Sequence, residues 1–367
     1  MSDDRDEIAE RTRRVLARCR ELGFTLAGVA DPRPSDRAEA VRRWFAEGKH
    51  GSMAWLADEI EVRLDPGRLL SGVRSVICVA DRYAGPSMPI ADPGSPDRPR
   101  GAIARYARGG DYHEVIKRRL KRLVRELRDE FPQERFRHAC DLLPLLEREL
   151  AGRAGLGSIG KHTLLIEPGV GSWLLLGEVL TTLPLAIDPA SSPGPRRDPC
   201  GTCTRCIDAC PTRAITPFSV DASRCLAYTT IEHRGEVPDE FHAPTGGWLF
   251  GCDVCQEVCP HNAPTRRKRR EAGVLPEYAE RTASLDLVEI LGWSEEDRRR
   301  ATRASPLRRC LLASFKRNAL ICLGNALVGR NDAAAATMRE RIVAIAGDVS
   351  EDAVVRSTAA AVLARLA

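Results

Sequence analysis

Eight of the chain's thirteen cysteines fall between Cys200 and Cys259, and no other feature of the sequence restricts the fold as strongly. Clustering of this kind points to metal rather than to core packing or to disulfides. The first run reads Cys200-x2-Cys203-x2-Cys206-x3-Cys210-Pro211. In that spacing a tight turn lets three thiolates grip one [4Fe–4S] cube, while the fourth cysteine reaches a second cube. A second run, Cys252-x2-Cys255-x3-Cys259-Pro260, mirrors the first, and Cys225 supplies its missing early member. Cross-ligation then assigns Cys200, Cys203, Cys206 and Cys259 to one cluster, and Cys210, Cys225, Cys252 and Cys255 to the other. Zinc also takes CxxC pairs, but its sites usually separate two pairs by a longer loop; successive x2 spacings ending in Cys-Pro favour the cube. The other five (Cys19, Cys78, Cys140, Cys310 and Cys322) lie in predicted helices or strands and read as small buried hydrophobes. One-electron transfer is the function this module supports.

At 367 residues the chain has room for two or three domains. A net charge of +5 says little by itself about partners. No apolar run approaches a membrane span, since Ser172–Val179 is interrupted by Gly177 and Glu178. The start, MSDDRDEIAERTRR, lacks an apolar h-region and an export pattern, so a cytoplasmic protein is expected. Periodicity predicts helices over 3–22, around Trp44 and Phe45, over His113–Phe131 and over Leu145–Gly152. Strands are predicted at Phe24–Ala30, Val76–Ala80, Leu164–Ile166 and Trp173–Thr182, with a proline-rich loop over 85–100. Residues 1–187 therefore form an α+β domain, and the linker Asp188–Pro199 leads into a cysteine module ending near residue 265. From 266 to 367 the pattern is helical only. Leu307–Gly324 and Val349–Leu366 read as helix pairs in the style of HEAT repeats, a short α-solenoid.

Gly155-Leu156-Gly157-Ser158-Ile159-Gly160-Lys161-His162 spells both GxGxxG and GxxxxGK. Phosphate binding by either motif needs a strand to enter and a helix to leave, and here a helix enters and a strand leaves. His162 also stands where a P-loop has Ser or Thr. What remains is a tight glycine turn, or a loop that lets backbone approach a large flat cofactor. Asp141, after an apolar strand, reads as an N-cap for the following helix, which Pro144 supports. A catalytic carboxyl is the alternative.

Taken together, the motifs resemble the epoxyqueuosine reductase family over nearly the whole chain. The residues that carry the resemblance are Arg63–Pro66, Ala104–His113, Cys140–Leu150, Gly155–Ile166, Cys200–Ile215, Arg224–Gly235, Gly251–Asn262 and Arg317–Asn325. It implies an enzyme that removes the epoxide oxygen of epoxyqueuosine at the wobble position of tRNA. It also implies base-off cobalamin in an N-terminal domain similar to flavin nitroreductases, reduced through the two clusters. Asp111-Tyr112-His113 begins a DxHxxG cobalamin motif, but Ile116 replaces its glycine, so a histidine lower ligand is not supported. The family's catalytic acid matches Asp141, and a carboxyl buried beside a corrin would have its pKa raised and stay protonated. Leu142 stands where Thr or Ser is common, removing a hydroxyl that could orient the acid. The resemblance further implies cofactor contacts from Arg63, Tyr106, Asp141, Lys161, His162, Cys252 and Asp253. Arg224, Tyr228, Thr230, His233 and Arg234 would line the entrance for the flipped nucleotide.

A tRNA partner demands phosphate-neutralising charge, for which Arg266–Arg270, Arg298–Arg300, Arg308, Arg309, Lys316 and Arg317 offer themselves. Solvated helix faces, balanced for Arg298–Arg300 by Glu295, Glu296 and Asp297, are the plainer reading. A monomer served by an unnamed electron donor is expected. Two rival functions are a corrinoid reductive dehalogenase, which would carry an export signal, and a ferredoxin-type carrier without cobalamin.

Overall fold

The computed structural model describes residues 2–85, 91–141, 143–187, 198–263 and 274–367. Along the chain its strands are β1 (Leu26–Ala30), β2 (Ser75–Arg82), β3 (Gly94–Ser95), β4 (Arg98–Ile103), β5 (Phe136–Ala139), β6 (Ser158–Ile159) and β7 (Leu165–Ile166). β8 (Leu174–Thr181), β9 (Ile215–Thr216), β10 (Ser219–Val220), β11 (Trp248–Phe250) and β12 (Ser284–Asp286) follow. The main sheet has the order β1-β2-β8-β5, antiparallel throughout. β2 is buried along its whole length, as its run of β-branched and small residues requires.

Side-chain alternation along β8 decides what lies on each face of this sheet. Gly177 leaves room for the helix Tyr112–Glu130: a Cβ there would meet Ile116 at 2.8 Å. Leu180 packs on the opposite side with Leu145, Leu150 and Ala154, around the helix Glu147–Arg153. The helix Ser2–Glu21 joins the first face through Val15 and Cys19. The result is a mixed α/β layer structure, as the alternating pattern predicts.

The C-terminal third is not helix-only. β12 pairs antiparallel with β4, and β11 pairs parallel with the same strand. One small sheet thus draws a strand from each of the three expected units. A single apolar core continues from Ile103 and Phe250 into Phe315, Leu320, Met338 and Val362. Three helices, Leu312–Leu327, Ala333–Gly347 and Ala353–Leu366, pack together at this end. Gly324 permits the close approach, since a Cβ there would meet Val362 at 2.7 Å. The helix expected from Leu307 starts at Leu312, because Pro306 opens a separate turn capped by Ser305. The linker from 188 to 197, the basic run Arg266–Arg270 and Leu142 lie outside the described residues. Among those described, no helix is long and apolar enough to cross a membrane.

Candidate active site

The two cysteine runs are brought together. Helices Arg205–Asp208 and Val254–Glu257, each starting inside a CxxC turn, pack against one another. Burial raises the Cys206 thiol, and next come the like charges of Cys200, Cys259 and Cys203. Cys259 in turn feels Cys200 and Cys203. Burial pushes Cys252 up to about 12, with repulsion from Cys225 and Cys210 adding to it. Cys255 feels Cys252 and Cys225, and more weakly Cys206 across the gap between the sets. Cys200, Cys203, Cys206 and Cys259 thus act on one another, as do Cys210, Cys225, Cys252 and Cys255. Buried thiolates that repel one another are stable only around a cationic core. Among the described residues no three His, Cys, Asp or Glu gather on a single ion. A cube holds its thiolates farther apart than one ion does, because each binds a different iron. Backbone N–H groups point at the sulfurs, from Lys161 to Cys200 Sγ and from Ala214 to Cys210 Sγ, both at 3.3 Å. The five remaining cysteines are buried, as their apolar neighbours lead one to expect.

Asp141 does not cap a helix. The next helix starts at Glu147 behind Leu146, and Asp141 sits in the left-handed region at φ 53°, which aspartate tolerates better than most residues. Glu147 fixes this turn, its Oε1 accepting the Asp141 N–H at 2.8 Å. The Tyr112 hydroxyl donates to Asp141 Oδ2 at 2.6 Å, and His113 Nε2 lies 3.5 Å from the same oxygen. Asp111, the true cap of helix Tyr112–Glu130, holds the other ring nitrogen, with Oδ1 2.7 Å from Nδ1. Both nitrogens of His113 are thus committed, in keeping with the broken DxHxxG motif. Burial acts against charge on His113, but Asp111 and Asp141 overcome it and lift its pKa to about 9. For Asp141, burial acts to raise the pKa, and the His113 and Tyr112 hydrogen bonds bring it below the ordinary aspartate value. The side chain is 59% exposed, and the chain itself supplies two donors to it. The mobile proton of the pair rests on His113.

Tyr106 packs beside this group. Its ring lies 6.2 Å from that of Tyr112 and 6.1 Å from that of Phe250. Burial raises its hydroxyl pKa, helped by the charges of Asp141 on one side and Asp253 on the other. Asp253, beside Cys252, accepts the Arg105 N–H at 2.7 Å, and burial pushes it up to about 6. Arg63 faces the same space: burial lowers its pKa, opposed by the charges of Glu59, Glu147 and Asp141, and its buried Nε has no hydrogen-bond partner. His162 Nε2 is likewise buried without a partner, and burial lowers that ring to about 4, so it is neutral. Lys161 Nζ donates to Gly201 O at 2.7 Å and Cys203 O at 3.1 Å, so the ammonium holds the loop that carries Cys200 and Cys203.

Several expected tRNA contacts belong to the framework. Arg317 is fully buried and donates to Thr229 O at 2.6 Å, Gly235 O at 2.6 Å and His233 O at 2.9 Å. Lys316 pairs with Glu351 at 2.6 Å with both side chains largely buried. Thr230 accepts the Gly251 N–H and is buried, and the Tyr228 hydroxyl is taken up by Ser52 at 2.7 Å. His233 is spent on Glu236 O at 2.7 Å. Arg234, Arg308 and Arg309 are exposed, and Arg224 is 41% exposed over the Phe241 ring. Arg298–Arg300 pair with Glu295 and Asp297, the balanced helix face.

Two family models match the chain: "Epoxyqueuosine reductase QueG, DUF1730" over residues 63–141, and "4Fe-4S double cluster binding domain" over 199–262. An epoxyqueuosine reductase of Xanthomonas campestris pv. campestris is 39% identical over 92% of this chain and 93% of its own length. The chain belongs to the epoxyqueuosine reductase family. It is accordingly an enzyme, a reductase with a 4Fe–4S double-cluster domain. The family member of Aliivibrio fischeri is 39% identical over 84% of this chain and 81% of its own. Among solved structures, an epoxyqueuosine reductase with an epoxyqueuosine-modified tRNA-Tyr stem loop superposes with a TM-score of 0.84. It shares 26% identity and covers 97% of this chain and 90% of its own. A Bacillus subtilis epoxyqueuosine reductase with an aspartate's catalytic loop swung out of the active site matches with the same TM-score, identity and coverage.

Sequence reasoning missed Tyr112, His113 and Glu147 as partners of Asp141. Glu147 lies six residues on, a spacing no regular element brings together, so only the turn at Asp141 reveals it. Glu178 was visible in the sequence only as a charge interrupting the apolar run of β8.

Proposed function

We propose that the chain reduces epoxyqueuosine to queuosine at the wobble position of tRNA, with Asp141 as the proton donor. The observation that carries this reading is the convergence at Tyr106: on one side the Tyr112–Asp141–His113 group, on the other the Asp253 loop that presents Cys252 and Cys255. Electrons and a proton can reach one point there. The substrate follows from the family and from the tRNA stem loop held by the structural neighbour. An aspartate on a catalytic loop in the Bacillus subtilis neighbour supports the role of Asp141.

Cobalamin fits this space. Arg63 Nε and His162 Nε2 are buried donors left without partners, suited to amide and carboxylate oxygens at the rim of a corrin. When bound, cobalamin supplies a strongly reducing, nucleophilic cobalt fed through the clusters. The chain's own residues manage the proton. Opening the epoxide leaves an alkoxide, and Asp141 Oδ2 delivers to it the proton that His113 Nε2 holds 3.5 Å away. Tyr112 keeps the carboxylate aimed. Exposed Arg224, Arg234, Arg308 and Arg309 then neutralise anticodon-loop phosphates, and a tRNA substrate locates the enzyme in the cytoplasm. On this reading residues 1–187 are the nitroreductase-like cobalamin domain, 188–265 the cluster module and 266–367 a HEAT-like tRNA-binding region.

The test is anaerobic turnover of an epoxyqueuosine-containing anticodon stem-loop with cobalamin and a chemical reductant. Wild type forms queuosine and Asp141→Asn does not, while both retain clusters and corrinoid. Equal turnover by Asp141→Asn rejects the assigned acid.

A further inference from the structure

Removing an epoxide oxygen consumes more protons than the Asp141 group holds. Two C–O bonds break, a C=C bond forms and two electrons enter through the clusters; the oxygen leaves as water after taking up two protons. The His113–Asp141 pair carries one proton at neutral pH. The second has to come from elsewhere, and the site is covered by a nucleotide when it is needed.

Beneath Asp141 lies a pair of carboxyls that the mechanism above leaves unused. Glu178 sits in the centre of the main sheet, opposite Cys78 of β2 on one side and Ala139 of β5 on the other. It is fully buried, and neither carboxyl oxygen has a well-formed hydrogen bond from the protein. Because Gly177 faces helix Tyr112–Glu130, alternation turns Glu178 to the other side, under helix Glu147–Arg153. Glu147 heads that helix, which packs on β8, and its charge adds to the burial that raises the pKa of Glu178. Glu147 Oε1 also accepts the Asp141 N–H at 2.8 Å. Burial falls from Glu178 in the sheet, through partly buried Glu147, to exposed Asp141, whose backbone N–H Glu147 holds.

Resting on the functional reading above, we propose that Glu178 and Glu147 are a built-in proton reserve that recharges Asp141 for the second protonation of the substrate oxygen. Glu147 passes a proton toward Asp141 and is refilled from Glu178, so the O–H bond broken at one carboxyl is remade at the next. The pair ends one proton poorer and recovers it from solvent after product leaves. The groups facing it suit this role. Burial holds Glu178 protonated well above the ordinary glutamate range, and Glu147's charge adds to this. Burial and the neighbouring charge of Asp141 bring Glu147 to about 7, within reach of both partners. Cys78 on β2 and Cys140 beyond β5 are thiols that burial keeps neutral, and Arg148, Arg153 and Arg63 are the cations around the pair. Arg153 is engaged by Glu149 at 2.7 Å and Arg148 by Thr163 O at 2.7 Å, so neither neutralises Glu178.

The experiment uses the full chain with both clusters and cobalamin, and follows single turnover of the epoxyqueuosine stem-loop across pH for wild type, Glu178→Gln and Glu147→Gln. At about pH 6, where solvent protons are plentiful, Glu178→Gln is expected to match wild type within about twofold; at about pH 9 it falls behind by about tenfold or more. A Glu178→Gln profile that tracks wild type at every pH overturns the proposal. So does an equal loss at every pH, which marks a purely structural role. Infrared spectroscopy of the resting protein at about pH 8 checks the reserve without turnover. Wild type shows the carbonyl stretch of a protonated carboxylic acid that Glu178→Gln lacks, and its absence from wild type overturns the proposal even where the variant folds poorly. Wild type that fails to convert the stem-loop at all rejects the functional reading itself, a result distinct from conversion that ignores Glu178.

Discussion

Replacing Arg317 by Met separates a framework residue from an RNA contact. The guanidinium is fully buried and holds three backbone carbonyls, Thr229 O, Gly235 O and His233 O, at 2.6, 2.6 and 2.9 Å. Burial lowers its pKa to about 10, so it stays charged at neutral pH. Met fills most of the same volume and leaves the three carbonyls without donors. At about 1 kcal/mol each, the loss is about 3 kcal/mol, and the upper end for breaking a buried charged network is about 5 kcal/mol. Because those carbonyls belong to the segment between Cys225 and Cys252, the damage spreads to the cluster module. Denaturant unfolding followed by circular dichroism reads the stability. The salt dependence of stem-loop binding reads the number of phosphates engaged, which drops by about one when a phosphate contact is lost. The expected result is a large stability loss with an unchanged salt slope. A stability change below about 0.5 kcal/mol together with a shallower slope would refute the reasoning and restore Arg317 to the RNA surface.

Three further outcomes follow from the geometry. Cys259→Ala should lower bound iron from about eight to about four per chain, losing the cluster that Cys200, Cys203 and Cys206 share although they lie far away in sequence; iron analysis with Mössbauer spectroscopy checks it. Lys161→Met should release iron faster under chelator while leaving cobalamin affinity unchanged, because its ammonium holds Gly201 O and Cys203 O. His113 gains charge on folding, with its pKa lifted from 6.5 to about 9. Its contribution to stability is therefore complete below the unfolded value and lost as pH rises through about 9. Unfolding midpoints of wild type and His113→Gln should differ most in the acid arm of that window and converge above it.

How much of this was legible in the sequence depends on the range of the interaction. The cysteine spacing disclosed the double-cluster domain, because each run gathers several cysteines in one turn. Helix and strand positions around the main sheet followed from local periodicity, as with Val76–Ala80 inside β2. Long-range pairing did not show. β12 is three residues long and finds its partners 182 to 186 positions away in β4, so no pattern in the helical tail announced it. The charge on Arg317 and Lys316 pointed to RNA by residue type alone, whereas their burial is set by carbonyls and Glu351 brought together only in the fold. Asp141 could be named as a candidate, but its partners could not. Its pKa depends on Tyr112 and His113, which come from a helix N-terminus nearly thirty positions earlier.

The most direct measurement is mass spectrometry of tRNA nucleosides from a bacterial strain lacking its own epoxyqueuosine reductase and expressing this chain. Queuosine should replace epoxyqueuosine when the wild-type chain is expressed, and epoxyqueuosine should persist with Asp141→Asn. Persistence of epoxyqueuosine with wild-type protein that carries both clusters and cobalamin would contradict the account.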